Sequence, residues 1–283
     1  MDYELTCVLG PTACGKTKYA VALAKQTGAE ILSADSRQVY RGMDIGTGKD
    51  LADYDGVPYH LIDIVPAGEK YDIYRYQRDF HKAYADIISR GKPAILCGGS
   101  GLYIEAATRG YHLPDVPCNP ELRASLEKES DEVLIARLSS LKTLHNSTDY
   151  DTRKRLIRAL EIAIYEQEHP VDRSAFPPIK TKYIGLDVSR EVRNARIDAR
   201  LDARLAAGMV EEVQGLLDSG IAAEDLIYYG LEYKFITLYL TGQLSYDEMH
   251  DKLATAIHQF AKRQMTWFRG MERRGIEIEW VKV

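Results

Sequence analysis

The stretch Gly10-Pro11-Thr12-Ala13-Cys14-Gly15-Lys16-Thr17 fits G-x-x-x-x-G-K-[ST], and no other part of the chain restricts its fold as strongly. Before it, Leu5 to Leu9 is a short apolar run; after it, Thr17 to Lys25 sets Tyr19, Ala20, Leu23 and Ala24 at helical spacing. A strand, a glycine-rich turn and a helix in that order make a phosphate cradle, because backbone N–H groups and the positive end of the helix dipole both face the bound anion. Lys16 adds a point charge there, and the Thr17 hydroxyl can hold a magnesium ion.

Such a strand needs parallel neighbours, and the sequence offers them. Ile31 to Ala34, Leu61 to Val65 and Ala94 to Cys97 read as buried strands, while Ile73, Tyr76, Phe80, Tyr84 and Ile87 recur along one helix that Gly91 stops. Strands alternating with helices imply right-handed crossovers and a parallel sheet covered on both faces. After Gly110 the alternation breaks at Pro114, Pro117 and Pro120, and helical patterns run to about Glu168, before Pro170, Pro177 and Pro178. Tyr183 to Val188 returns to strand character, and Ile276 to Val281 closes the chain as a last strand. The expected fold is α/β, a P-loop NTPase-like parallel sheet core over 1–110 and 181–283, the second part carrying C-terminal helices, with a mainly helical domain inserted at 111–180.

The 283 residues are 45% hydrophobic and 28% charged, ordinary for a globular chain, and no apolar run reaches the length of a membrane span. The start passes directly into a strand pattern without the features of a signal peptide, so a cytoplasmic protein is expected. Four scattered cysteines, Cys7, Cys14, Cys97 and Cys118, suggest neither a zinc site nor a disulfide framework. Cys14, beside a helix start and a lysine, has the surroundings of a reactive thiol. A net charge of −5 excludes coating of nucleic acid by overall charge and leaves local patches. One is Arg153, Lys154, Arg155 and Arg158; another is Lys262 and Arg263 with Arg269, Arg273 and Arg274; either is as readily a solvated helix face. The stripe Arg193, Arg196, Arg200 and Arg204, interleaved with Asp198 and Asp202, reads as a salt-bridged helix face. No signature of an obligate interface is found, and a monomer is expected.

A kinase or ATPase would normally place an aspartate at the end of a later strand. Here Ala94 to Cys97 runs instead into Gly98-Gly99-Ser100-Gly101, and the acid at the sheet edge is Asp35. The loop, Asp35-Ser36-Arg37-Gln38-Val39-Tyr40-Arg41-Gly42-Met43-Asp44-Ile45-Gly46-Thr47, Tyr59-His60-Leu61-Ile62-Asp63, Gly98-Gly99-Ser100-Gly101-Leu102-Tyr103, Lys154 to Glu161 and Ala261 to Trp267 together resemble the tRNA dimethylallyltransferase (isopentenyltransferase) family, in the family's order.

That resemblance implies transfer of a dimethylallyl group from dimethylallyl diphosphate to the N6 amine of the adenosine 3′-adjacent to the anticodon, in tRNAs reading codons that begin with U, with magnesium as cofactor. It implies diphosphate binding by Gly10 to Thr17 and catalysis by Asp35, Ser100, Lys16 and Thr17, with Asp35 as the base. It also implies contacts to the tRNA anticodon stem-loop from Asp35, Ser36, Arg37, Gln38, Ser100, Arg123, Lys154, Arg155, Leu156, Ile157, Arg158, His258, Gln259, Phe260, Ala261, Lys262 and Arg263. The family's S-I-R-x-V-G-Y-R-Q block is altered to Leu226 to Lys234, without its first arginine, for which Lys234 and Arg200 are candidate substitutes. His258 stands in place of another arginine. Three other readings stay open: an isopentenyltransferase on free adenine nucleotides, a P-loop small-molecule kinase, and a tRNA-binding protein without catalysis.

Overall fold

A computed structural model of the protein describes residues 3–142, 152–169 and 176–283. Among the described residues the strands are β1 (Leu5–Leu9), β2 (Glu30–Ser33), β3 (Tyr40–Arg41), β4 (Tyr59–His60), β5 (Val65–Pro66), β6 (Ala94–Gly98), β7 (Thr181–Asp187) and β8 (Ile278–Lys282). Six form one wholly parallel sheet in the order β4-β2-β6-β1-β7-β8, while β3 pairs with β5. The strand–helix alternation anticipated this α/β architecture.

Each strand splits its side chains between two cores. Leu5, Cys7 and Leu9 of β1, with Leu96 of β6 and Leu32 of β2, pack with Tyr76 and Phe80 of α2 (Ile73–Ser89) and Ile104 of α3 (Gly101–Thr108). Val8, Ile95 and Ile31 belong to the other core, with Ala20, Val21 and Ala24 of α1 (Lys16–Thr27). A period of two along each strand, between two apolar layers, therefore fixes the sheet's register.

Of the run Leu61 to Val65, expected as one strand, Leu61 to Ile64 form a loop between β4 and β5, and only Val65 is in a strand. Leu61 and Asp63 take left-handed conformations, at φ 65° and 56°, which a strand does not admit. A buried charge explains the turn. The Lys49 side chain is 1% exposed, and its ammonium meets the carboxylates of Asp44 and Asp63 and the Tyr40 carbonyl. An ammonium removed from water needs such partners, so electrostatics overrides the local apolar pattern.

Two compact units divide the chain: 1–111 with 177–283, and 112–176. Of the insert expected at 111–180, residues 143–151 and 170–175 lie outside the described residues. The second unit packs α4 (Pro120–Leu126), α5 (Asp131–Leu141) and α6 (Arg153–Glu168) around Leu126, Leu134, Leu138, Leu156, Ile157 and Leu160. Asn119, Ser130 and Thr152 cap the three helices by accepting from the N–H groups of Leu122, Val133 and Arg155. Inside this unit Glu161 is 2% exposed and accepts from the Asn119 N–H and from Arg123 and Arg158. Burial alone would raise its pKa, but the hydrogen bonds from Arg123, Asn119 and Arg158 win and hold it at about 2, against 4.5 normally.

A folded pKa below the unfolded one means that Glu161 stabilises the fold fully above about pH 4.5 and loses that contribution as pH falls toward 2. Thermal unfolding of the full chain should show stability falling across this window. Glu161→Gln should lower neutral-pH stability by about 2–4 kcal/mol and flatten the acid slope; an unchanged slope would remove Glu161 as its source.

Candidate active site

The carboxyl ends of the adjacent strands β2, β6 and β1 bring the expected site residues of the first unit together. Open parallel sheets bind ligands at this edge, because the loops leaving neighbouring strands border one crevice there. The Gly10 to Gly15 loop leaves β1 with Ala13 and Gly15 in left-handed conformations, φ 61° and 87°, and Gly15 stands at the start of α1. A side chain at Gly10 would meet the Cys14 sulfur at 2.7 Å. Lys16 Nζ folds back over the loop and donates to the Pro11 carbonyl at 2.7 Å.

After β2 the backbone turns at Asp35, whose carboxylate accepts from the Arg37 N–H at 2.9 Å. After β6, the Ser100 N–H donates to the Ala34 carbonyl at 3.2 Å, and the Ser100 hydroxyl accepts from the Ser36 N–H at 3.2 Å. Gly98 permits this approach, since a Cβ there would overlap the Ala34 carbonyl. Asp35, Ser36 and Ser100 therefore form one half-buried group. Gln38 is oriented at both ends: its oxygen accepts from the Ser33 hydroxyl at 3.2 Å and its amide donates to the Gly48 carbonyl at 3.1 Å.

Two organising residues escaped the sequence reading. Gln264 lies on α11 (Tyr246–Arg273); its side chain accepts from the Thr12 N–H at 2.8 Å and donates to the Gly99 carbonyl at 2.9 Å, tying the phosphate loop to the turn that carries Ser100. The available signal was a polar residue at a core position among Ile257, Ala261, Phe268 and Met271, all buried along α11. Glu212, on α8 (Met209–Asp218), accepts the N–H groups of Asp44, Ile45 and Gly46 at 2.8, 2.7 and 3.0 Å and the Tyr233 hydroxyl at 2.6 Å. It pins the loop whose Gly48 orients Gln38. Nothing local in the sequence marks Glu212.

Several expected RNA contacts are placed otherwise. Leu156 and Ile157 are buried core residues of the second unit, so neither is open to RNA. Arg123 and Arg158 both bind Glu161, and Arg153 pairs with Glu127 and Asp131, while Lys154 and Arg155 are exposed. On α11, Gln259, Phe260, Lys262 and Arg263 are exposed, with the Arg263 guanidinium 5.9 Å from the Phe260 ring centre; Ala261 is buried, and His258 bonds Asp198 at 2.7 Å. The arginine stripe of α7 (Arg190–Ala206) is not a self-paired face: Arg200 and Arg204 reach Asp50, whereas Asp198 and Asp202 meet His258 and His250. Lys234 is exposed and lies over the Phe235 ring.

Among the described residues, no group of three or more His, Cys, Asp or Glu side chains is placed to hold a metal. The half-buried Thr17 hydroxyl in a phosphate cradle suits an ion that keeps much of its water and binds chiefly through substrate phosphates, as magnesium does. No described helix is long and apolar enough to cross a membrane.

Comparison with known proteins gives two family matches: the IPP transferase model over residues 38–271 and the isopentenyl transferase model over 3–54. The chain is 62% identical to tRNA dimethylallyltransferase 1 of Porphyromonas gingivalis, over 97% of this chain and 92% of that protein. It is 58% identical to tRNA dimethylallyltransferase 2 of Bacteroides fragilis, over 99% and 93% respectively. The crystal structure of the full-length tRNA isopentenylpyrophosphate transferase of Bacillus halodurans matches at TM-score 0.73 and 34% identity, over 99% of this chain and 90% of that one.

The expected reactivity of Cys14 meets a steric obstacle, because its thiol is buried under Gly10, with Lys16 Nζ 3.9 Å from the sulfur. Cys7 and Cys97 are buried too, and burial pushes the Cys97 thiol up to about 12. A thiol reagent should therefore modify exposed Cys118 first and leave the other three until the protein unfolds. Peptide mass analysis after limited alkylation checks this; Cys14 labelled as fast as Cys118 would contradict the burial.

Proposed function

The chain belongs to the IPP transferase family, and we propose that it acts in the cytoplasm and transfers a dimethylallyl group from dimethylallyl diphosphate to the N6 amine of the adenosine 3′-adjacent to the anticodon, in tRNAs reading codons that begin with U. The observation that carries this reading is the meeting of a phosphate loop with Asp35 and Ser100 at adjoining strand ends.

An exocyclic adenine amine is a poor nucleophile, since its lone pair is delocalised into the ring. Asp35, held by the Arg37 N–H, accepts the amine proton as the bond from nitrogen to the allylic carbon forms. The carbon–oxygen bond to diphosphate breaks in the same displacement, and its electron pair goes to the bridging oxygen. Loop N–H groups and Lys16 stabilise that developing charge. Magnesium held through Thr17 supplies further positive charge to the diphosphate when bound. The Ser100 hydroxyl, fixed against Ser36, orients the amine.

A base inside an anticodon loop must leave its stack to reach such a crevice. Asp35 to Gln38 then surround it, and the exposed face of Gln259, Phe260, Lys262 and Arg263 takes RNA phosphates and an unstacked base. Lys154 and Arg155 add phosphate contacts from the second unit. A second reading, the same chemistry on free adenine nucleotides, needs the same phosphate loop and base but not the RNA-facing surface of α11. A kinase is disfavoured because β6 ends in glycines and a serine where an aspartate would be required.

Labelled dimethylallyl diphosphate incubated with unmodified tRNA and, separately, with AMP tests the reading. Label on the adenosine beside the anticodon is expected, and label on AMP alone would move the enzyme to free nucleotides. Asp35→Asn should lower transfer roughly 10²–10⁴-fold with diphosphate binding intact. Loss of magnesium-dependent diphosphate binding in that variant would instead make Asp35 a partner of the metal's water shell.

A further inference from the structure

Arg200 and Arg204 lie one turn apart on α7, and their terminal nitrogens converge on Gly48, where a Cβ would overlap both. They share an acidic partner: Asp50 Oδ2 stands 3.5 Å from Arg200 and 3.2 Å from Arg204. The Arg204 side chain is 14% exposed, whereas that of Asp50 is 54% exposed. Burial and the neighbouring Arg200 charge both lower the Arg204 pKa, so this is a crowded cationic spot with Asp50 as its solvated counter-charge.

Asp50 sits at the start of the 3-10 turn Leu51–Tyr54, in a left-handed conformation with φ 44°, yet its carboxylate caps no N–H of that turn. It faces the two guanidinium groups instead. A carboxylate held between two arginines occupies the place of any oxyanion of similar size, and arginine forks match phosphate as well as carboxylate. Glu232, at the first turn of α10 (Leu231–Leu240), is another acid nearby; burial raises its carboxyl pKa, and the Arg204 and Arg200 charges oppose that rise.

The location ties this pair to the site. Gly48, against which the arginines pack, accepts the Gln38 amide, and Gln38 belongs to the Asp35–Gln38 segment proposed to surround the acceptor base. Lys234, the other candidate for a substitute cation, lies exposed over Phe235.

We propose that Arg200 and Arg204 form a phosphate clamp beside Gln38, closed on Asp50 in the free protein and opened onto a phosphate oxygen of substrate. The identity of that substrate rests on the proposed function: the oxyanion belongs to the allylic diphosphate or to the RNA backbone, which offer the same chemistry. No bond is made or broken at the clamp, and Asp50 is displaced into solvent as the phosphate enters.

Binding of two probes to the full chain distinguishes the sources: inorganic pyrophosphate with magnesium, and an unmodified anticodon stem-loop RNA. Arg204→Gln should weaken one of them roughly tenfold or more, since a charged hydrogen bond is lost. Asp50→Asn should tighten the same probe, because it removes the competing carboxylate. A response confined to pyrophosphate assigns the clamp to the leaving group, and one confined to RNA assigns it to the backbone. Arg204→Lys, which keeps charge without the fork, should fall between, and thermal unfolding checks that each variant is folded. Asp50→Asn binding the affected probe no more tightly than wild type, or Arg204→Gln changing neither, would make the pair a structural brace and overturn the clamp. A wild type that binds neither probe would sink the proposed function and the clamp together, whereas a wild type that binds them with both variants indifferent would sink the clamp alone.

Discussion

One buried amide holds together the two loops on which the proposed chemistry depends. Gln264 accepts from Thr12 in the phosphate loop and donates to Gly99 in the turn before Ser100, so both loops are positioned from a single side chain on a long helix. Each bond adds only about 1 kcal/mol net, but losing the amide would leave two poorly solvated backbone groups unpaired, at about 1–3 kcal/mol each. A displacement reaction needs its reacting atoms held within a few tenths of an ångström, and a bridge inside the fold does this better than mobile loops.

Charge is distributed around that bridge by the same logic. Lys16 lies at the phosphate loop, where the proposed reaction develops negative charge on the departing oxygen, and Asp35 follows the next strand but one, where that reaction needs a base. Acids elsewhere have structural tasks. Glu212 closes on three backbone N–H groups, and Glu161 gathers Arg123 and Arg158 inside the second unit. In the proposed reaction the P-loop serves a diphosphate that leaves from carbon, which would remove the need for the aspartate that phosphoryl transfer uses.

The fold was legible where the information is local. Apolar runs of four or five residues separated by amphipathic stretches identified β1, β2, β6 and their helices, and the glycine-rich motif fixed the place of the phosphate loop. Legibility failed where distant charges decide. Leu61 to Val65 reads as a strand until Lys49, buried fourteen residues from Asp63, turns the backbone around it. Arg158 reads as a phosphate contact until Glu161 is seen beside it, and Leu156 and Ile157 in the same stretch face the core because the helix turns them inward. Cys14 reads as a reactive thiol because sequence shows its charged neighbours but not the Gly10 backbone that covers it.

If the phosphate loop holds a leaving group, the bond that breaks joins carbon to oxygen. Dimethylallyl diphosphate carrying ¹⁸O at the bridging oxygen next to carbon tests this directly when turned over with tRNA. The heavy oxygen is expected to depart in inorganic pyrophosphate. Its retention in dimethylallyl alcohol or dimethylallyl phosphate would mean attack at phosphorus, and would contradict the account.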